Sequence, residues 1–283
     1  MNARPWFWMM LLGLMLAHVA GAQAQDEQAA LTEAPESAWS IQIEPAVWFA
    51  GFEGDLGVPG GSGTIDAGDL NLDSPRLSPA GEVHLRRGRW RLTLGGFGFS
   101  IDQTAFLPVA DRIAGIALAA GDRVGTELDL NSFEATVGFD LWSRALGERA
   151  DGGPMLIATI SALGGVRLYD LDVNLRISAG GMETSAGGDQ FFAEPIGGLK
   201  AELEIADRFS VDMQISAGYI DTGGTSSNSF DLILGFMWRP VAHVGAQMGY
   251  RLLTFDLEDG SGPGRLILDG SLAGLYWGVV VRF

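Results

Sequence analysis

The sequence has no cysteine, which excludes a disulfide scaffold, a thiolate-ligated metal and thiol catalysis. Basic residues are scarce: 18 Lys+Arg stand against 35 Asp+Glu, for a net charge of -17. Such a chain offers no basic surface to neutralise phosphates, so nucleic-acid binding is excluded as its business. After Ser37 no stretch of about 18 apolar residues occurs, so no transmembrane helix is expected. Lysine is nearly absent beyond the N-terminus, with Lys200 alone. Nothing in the motifs calls for a cofactor.

What the chain does have is glycine, 41 residues of 283. That is about twice the usual share and suits tight turns and close backbone approach in an all-β protein.

The N-terminus reads as an address. Arg4 precedes an apolar run, Trp6 to Ala17, and then the small residues Ala20-Gly21-Ala22-Gln23-Ala24. This is the pattern of a secretory signal peptide with an A-x-A cleavage site. Residues 1–24 are assigned to it, and the run is too short for a bilayer anchor. Its loss removes Arg4 and no acid. Residues 25–37 are polar and acidic and read as a flexible periplasmic leader. Residues 38–283 form one domain.

That domain alternates with period two. Phe209, Val211, Met213, Ile215, Ala217 and Tyr219 share one face; Ser210, Asp212, Gln214, Ser216 and Gly218 share the other. Phe230 to Trp238 and Leu275 to Phe283 repeat the pattern. The apolar faces carry aromatics near their ends, as the girdles of membrane barrels do. The opposite faces carry glycine and ionisable groups, which a sandwich core would not accept. Strands are expected near 39–56, 77–87, 89–102, 127–142, 154–173, 190–205, 208–220, 228–239, 241–257 and 265–283. Their connections alternate between short and long. The expected fold is therefore an antiparallel transmembrane β-barrel of about ten strands, with short periplasmic turns and long outer loops. Eight or twelve strands fit the same length.

The last segment, Trp277, Val279, Val281 and the terminal Phe283, resembles the assembly signal of Gram-negative outer-membrane β-barrel proteins. With Trp39, Gly88-Arg89-Trp90 and Gly249-Tyr250-Arg251, the pattern over most of the chain is similar to small barrels in the neighbourhood of the OmpA and OmpW types. The resemblance implies an outer-membrane location. It also implies contact with outer-membrane lipid and lipopolysaccharide, and recognition by the barrel-assembly machinery. No plug or peptidoglycan-binding domain accompanies it.

Alternation points Glu82, His84, Arg86, Glu134, Asp140, Glu194, Lys200, Glu202, Asp212, Asp231, Arg239, His243 and Arg251 into the lumen. Two readings follow. The lumen is either a narrow, cation-favouring channel for small solutes or a salt-bridged plug in a structural or surface barrel. A barrel enzyme acting on lipid A or peptides is the alternative from another class. Against it, His84 and His243 fall near the short-turn, periplasmic ends of their strands. Asp66, Asp69 and Asp73 in the first long loop are the weak candidates for divalent cations, beside the plainer reading of a solvated acidic surface. Ile113 to Ala120 reads as either a loop helix over the mouth or a packed loop.

Overall fold

The computed structural model describes residues 39–60, 63–107, 111–113, 115–149, 152–180 and 182–283. The assigned signal peptide and leader lie outside the described residues. Ten long strands are β1 Trp39–Gly57, β2 Arg76–Arg87, β3 Trp90–Phe106, β4 Arg123–Glu148, β5 Pro154–Ala179, β6 Met182–Ile205, β7 Phe209–Asp221, β8 Thr225–Trp238, β9 Val244–Asp259 and β10 Leu266–Arg282. Each pairs antiparallel with the next, and β10 pairs with β1, so the ring is closed. Closure leaves no edge of unpaired N–H and C=O groups, which is what a sheet needs to stand in hydrocarbon.

The register fixes the barrel's tilt. From Gln42 the partners run His84, Thr93, Thr136, Gly165, Ile196, Gly218, Ser229, Phe255 and Gly270, and return to β1 at Gly54, twelve residues further along. That stagger, over ten strands, gives a strongly tilted and narrow ring.

Two of the outer connections, the third and the fourth, are shorter than expected. The fourth, placed over 221–227, is a three-residue turn, closed by the Thr222 N–H donating to the Thr225 carbonyl oxygen at 3.0 Å. At the end where the chain enters and leaves, the turns are tight. Gly88 takes a φ of 57°, and Ala206 and Asp207 take 51° and 56°. At the other end the first two connections are long. The third, expected as a loop over 174–189, is instead the tip of a hairpin: β5 and β6 stay paired to Ala179 and Met182, with Gly180 at φ 58°. The residues assigned to that loop form strand because their alternation continues. The segment after Ile113 settles as two short strands, Asp111–Ile113 and Ile116–Leu118, with Ile113 and Leu118 buried, rather than as a helix.

Each strand keeps one face inward along its length, except β4, where a bulge at Leu141 turns Trp142 outward after inward Asp140, but the solvent changes sides partway up. In the half nearer the tight turns the outward residues are apolar and exposed. Trp39, Trp90, Trp142, Phe209 and Trp238 ring the periplasmic end, and Phe49, Phe133, Phe191, Tyr219 and Phe230 lie toward the outer end. Aromatic girdles around an apolar band are the mark of a lipid-facing belt. Beyond it the outward residues become acidic: Asp55, Asp102, Asp170, Asp172, Asp189 and Asp269 are exposed and Asp129 is half-buried. There the inward residues are apolar. Leu171, Val173, Leu175 and Ile177 are buried between exposed Asp170, Asp172, Asn174 and Arg176.

This outer part is built like a water-soluble barrel with its own hydrophobic core. The core gathers Phe52, Leu56, Phe99, Leu128, Leu130, Tyr169, Phe192, Phe255 and Leu268 with Leu70 and Leu72 of the first outer loop.

On the acidic wall Asp129, Asp172 and Asp189 stand directly opposite one another across β4, β5 and β6. Like charges in facing positions destabilise a sheet. Asp172→Asn is therefore expected to raise stability by about 0.2–1 kcal/mol. The check is the urea midpoint of the folded barrel, which should move up; a fall would contradict this reading.

Candidate functional site

The lumen is the place where this chain concentrates chemistry. It has three levels. Nearest the tight turns is an open polar vestibule, a cavity of about 110 Å³ lined among others by Gln42, Glu44, Glu82, His84, Arg91, Lys200, Glu202, Asp212, Gln247, Arg251 and Tyr276. That space holds a few water molecules or one small solute.

Most of its charges are held in ion pairs. Arg91 donates to Glu202 at 2.8 Å, Arg86 to Asp140 at 2.7 Å, and Lys200 lies 3.5 Å from Asp212. Asp140 also accepts from Ser161 at 2.7 Å. His84 sits between two carboxylates, with Nε2 at 3.2 Å from Glu44 and 3.3 Å from Glu82, while Nδ1 is 2.9 Å from the Thr93 hydroxyl.

Above the vestibule lies an ionic cluster around Arg167, whose own side chain is fully buried. The guanidinium donates to Glu134 at 2.7 and 3.1 Å, to Asp231 at 2.9 Å, and to the hydroxyls of Ser216 and Ser229 at 3.1 and 2.9 Å. Glu194 lies 4.0 Å away and accepts from Ser227 at 2.7 Å and from Ser229. Arg251 closes the cluster from below with two bonds to Asp231, at 2.6 and 3.1 Å. Its guanidinium also lies over the rings of Trp48 and Phe97, 5.3 and 5.2 Å from their centroids. The cation thus ties the polar levels to the aromatic floor of the apolar plug.

The plug is the third level. Phe52 stacks parallel to Phe255 at 6.3 Å, Tyr169 meets the same ring at 6.3 Å, and Trp48 meets Phe97 edge-on at 5.1 Å. Phe52, Phe99, Leu128, Tyr169, Leu171, Leu268 and Leu272 are each 2% exposed or less.

Of the residues expected in the lumen, the structure brings Glu134, Glu194, Asp231 and Arg251 together around Arg167. It sets Glu82, His84, Lys200, Glu202 and Asp212 in the vestibule, with Arg86, Asp140 and Arg239 toward its mouth. His243 is a correction. It lies in the exposed turn between β8 and β9, its Nδ1 2.9 Å from the Arg282 carbonyl oxygen. Pro240 cannot supply a ladder N–H, so the chain leaves the sheet after Trp238 and rejoins it only at Val244.

Arg167, Arg91, Glu44, Glu204 and Arg282 were not among the expected lumen residues. Their signal was parity: Arg167 is an even number of residues from Ser161 on the same strand, and so shares its face.

Among the described residues nine carboxylates of the lumen (Glu44, Glu82, Glu134, Asp140, Glu194, Glu202, Glu204, Asp212, Asp231) face seven cations (Arg86, Arg91, Arg167, Lys200, Arg239, Arg251, Arg282) and His84. The near balance is that of an ion-paired interior and offers little net field to select cations. Asp66, Asp69 and Asp73 are exposed on the first outer loop, and Asp66 accepts a local bond from the Gly68 N–H at 2.7 Å. Among the described residues no group of three or more His, Asp or Glu is arranged to hold a metal. Trp277 and Val279 point outward on β10, and Phe283 closes the seam by exchanging backbone hydrogen bonds with Ile41 at 2.8 and 3.1 Å.

No protein-family model matches the chain, and no curated protein matches its sequence. Among solved structures it is similar to the outer-membrane protease OmpT of Escherichia coli, with a TM-score of 0.49 and 10% identity over 89% of this chain and 99% of that one. It is also similar to Neisserial surface protein A (TM-score 0.30, 12% identity, 87% and 97% covered). A third likeness is the toluene transporter TodX of P. putida (TM-score 0.27, 12% identity, 88% and 90% covered). Identities this low transfer no chemistry. The closed ring and its lipid-facing belt, from this chain's own residues, are those of an outer-membrane β-barrel, and the protein resides in the outer membrane.

Proposed function

We propose that this is a closed surface barrel, anchored by its belt and presenting a solid, acid-walled β-structure outside the cell, rather than a conduit for solutes. One observation carries the reading: above the Arg167 cluster the lumen is filled from wall to wall by buried apolar side chains and the first outer loop. Protein interiors packed in this way have no continuous space for water. A hydrated ion would have to enter the apolar plug and also displace a buried ion pair, each at large cost.

In this reading residues 1–24 direct export and are removed. Trp277, Val279, Val281 and Phe283 are the strand offered to the assembly machinery. The belt takes outer-membrane lipid, and the acidic wall stands among and above the lipopolysaccharide headgroups. The enzyme alternative draws no support from the histidines, since His84 lies in the vestibule and His243 at a periplasmic turn.

The test is conductance. The refolded chain without residues 1–24, shown to be folded by heat-modifiable gel mobility, is expected to give no steps in a planar bilayer. Stable unitary steps of any ion selectivity would overturn the closed-lumen reading.

A further inference from the structure

The lumen charges are not evenly matched along the barrel. At the periplasmic mouth Arg86, Arg239 and Arg282 line the vestibule together. Arg86 is satisfied by Asp140. Arg239 and Arg282, however, turn to one carboxylate, Glu204: Arg239 in a close ion pair and Arg282 at 4.0 Å. Two guanidiniums share one counter-charge. Arg239 is only 6% exposed, and its Nε–H is buried with no hydrogen-bond partner. A buried guanidinium donor left unmatched carries the cost of its lost hydration, and such a group calls for an explanation.

The chain is built to hold this side chain in place. The strand ends at Trp238, and Pro240 follows Arg239 directly. Gly245 faces it from β9, where an added Cβ would stand 2.8 Å from the Arg239 Cγ and 2.7 Å from the Trp238 carbonyl oxygen. Only glycine leaves that room. The wider charge distribution points the same way. Arg87, Arg89 and Arg208 lie at this end, while the outer wall is acidic. An anion in the periplasm is thus drawn to this mouth.

We propose that the periplasmic mouth binds a small oxyanion, a phosphate or carboxylate group, between Arg239 and Arg282 with Arg86 beside it. The planar guanidinium forks donate to such groups, and the oxyanion supplies the missing acceptor for the Arg239 Nε–H. The proposal does not rest on the lumen being closed.

The probe is inorganic phosphate, titrated calorimetrically into the folded chain in maltoside micelles near neutral pH. Saturable binding at one site per barrel is expected. Arg282→Gln should weaken it by roughly tenfold or more, the effect of losing a charge-assisted bond. Gly245→Ala should weaken it similarly by displacing Arg239 without removing a charge. Arg176→Gln, on the exposed outer wall, should leave it unchanged. Heat-modifiable mobility confirms that each variant is folded.

A second arm separates the sources of the anion. Phosphatidylglycerol nanodiscs that stabilise the unsubstituted barrel more than Arg282→Gln, with free phosphate inert, would assign the anion to a lipid headgroup. No saturable response to either probe, or equal responses with and without Arg282, overturns the proposal.

Discussion

Arg167→Met is expected to cost about 3–5 kcal/mol of barrel stability, the penalty for removing one partner of a buried ionic cluster. The magnitude follows from what is left behind. Glu134, Asp231 and Glu194 are fully or mostly buried, and all three face the same guanidinium. Without it, the remaining cation of the cluster is Arg251, which bonds to Asp231 alone among them. Urea unfolding of the refolded barrel in lipid vesicles measures the loss. The same substitution combined with Asp231→Asn and Glu194→Gln should recover much of it, because the uncompensated charges go with their partner. If the single variant kept the midpoint of the parent, the cluster would not hold the middle of the barrel together. Arg167→Met removes the guanidinium while keeping an unbranched apolar stem out to about the Nε position.

Phe255→Ala is expected to lose about 3–5 kcal/mol, through lost burial and the cavity left in a core that cannot collapse. Phe255 is 3% exposed and meets both Phe52 and Tyr169. The surrounding strands are pinned by a closed hydrogen-bonded ring, so relaxation is limited. Asp170→Ala, next to Tyr169 but on the opposite, exposed face, should stay within about 0.5 kcal/mol. A pair of midpoints therefore tests the inversion of polarity in the outer half. Equal effects at the two positions would mean that the inward face there is not a core.

Much of the architecture was legible in the chain. Alternation over Phe209–Tyr219 and Phe230–Trp238 placed two strands almost to their ends, and it named the lipid-facing side correctly. Tight-turn residues such as Gly88 and Ala206-Asp207 marked the hairpins. Legibility failed at 174–189, where alternation was present but its apolar residues, Leu175 and Ile177 among them, were taken for loop. They are strand because their inward faces have an apolar core to join, a fact that lies in other strands and in the first outer loop. Arg167 shares its face with Ser161 by parity, but neither was among the residues expected inward from the sequence, and the complete burial of Arg167 was not legible there. That burial depends on Glu134, Asp231 and Ser229 arriving from β4 and β8 at the same height, which is set by the twelve-residue stagger of the ring. His243 failed for a local reason: one proline moved the start of β9 beyond it.

Eight, ten or twelve strands fitted the length of the chain, and the closed ring decided ten. By itself the sequence determined the hairpin order and, within each regular stretch, which residues share a face. These follow from local rules of pleat and turn, in which side-chain direction repeats every two residues whatever lies nearby. The tertiary structure alone decided what each face meets. Apart from the bulge in β4, each strand keeps one face inward, yet those faces became an ion-paired vestibule at one level, a buried charge cluster above it and an apolar plug at the top. That outcome rests on the stagger with which ten tilted strands bring distant residues to one height, and on a loop folding into the outer end. No period in a linear chain encodes which ten residues will share a level.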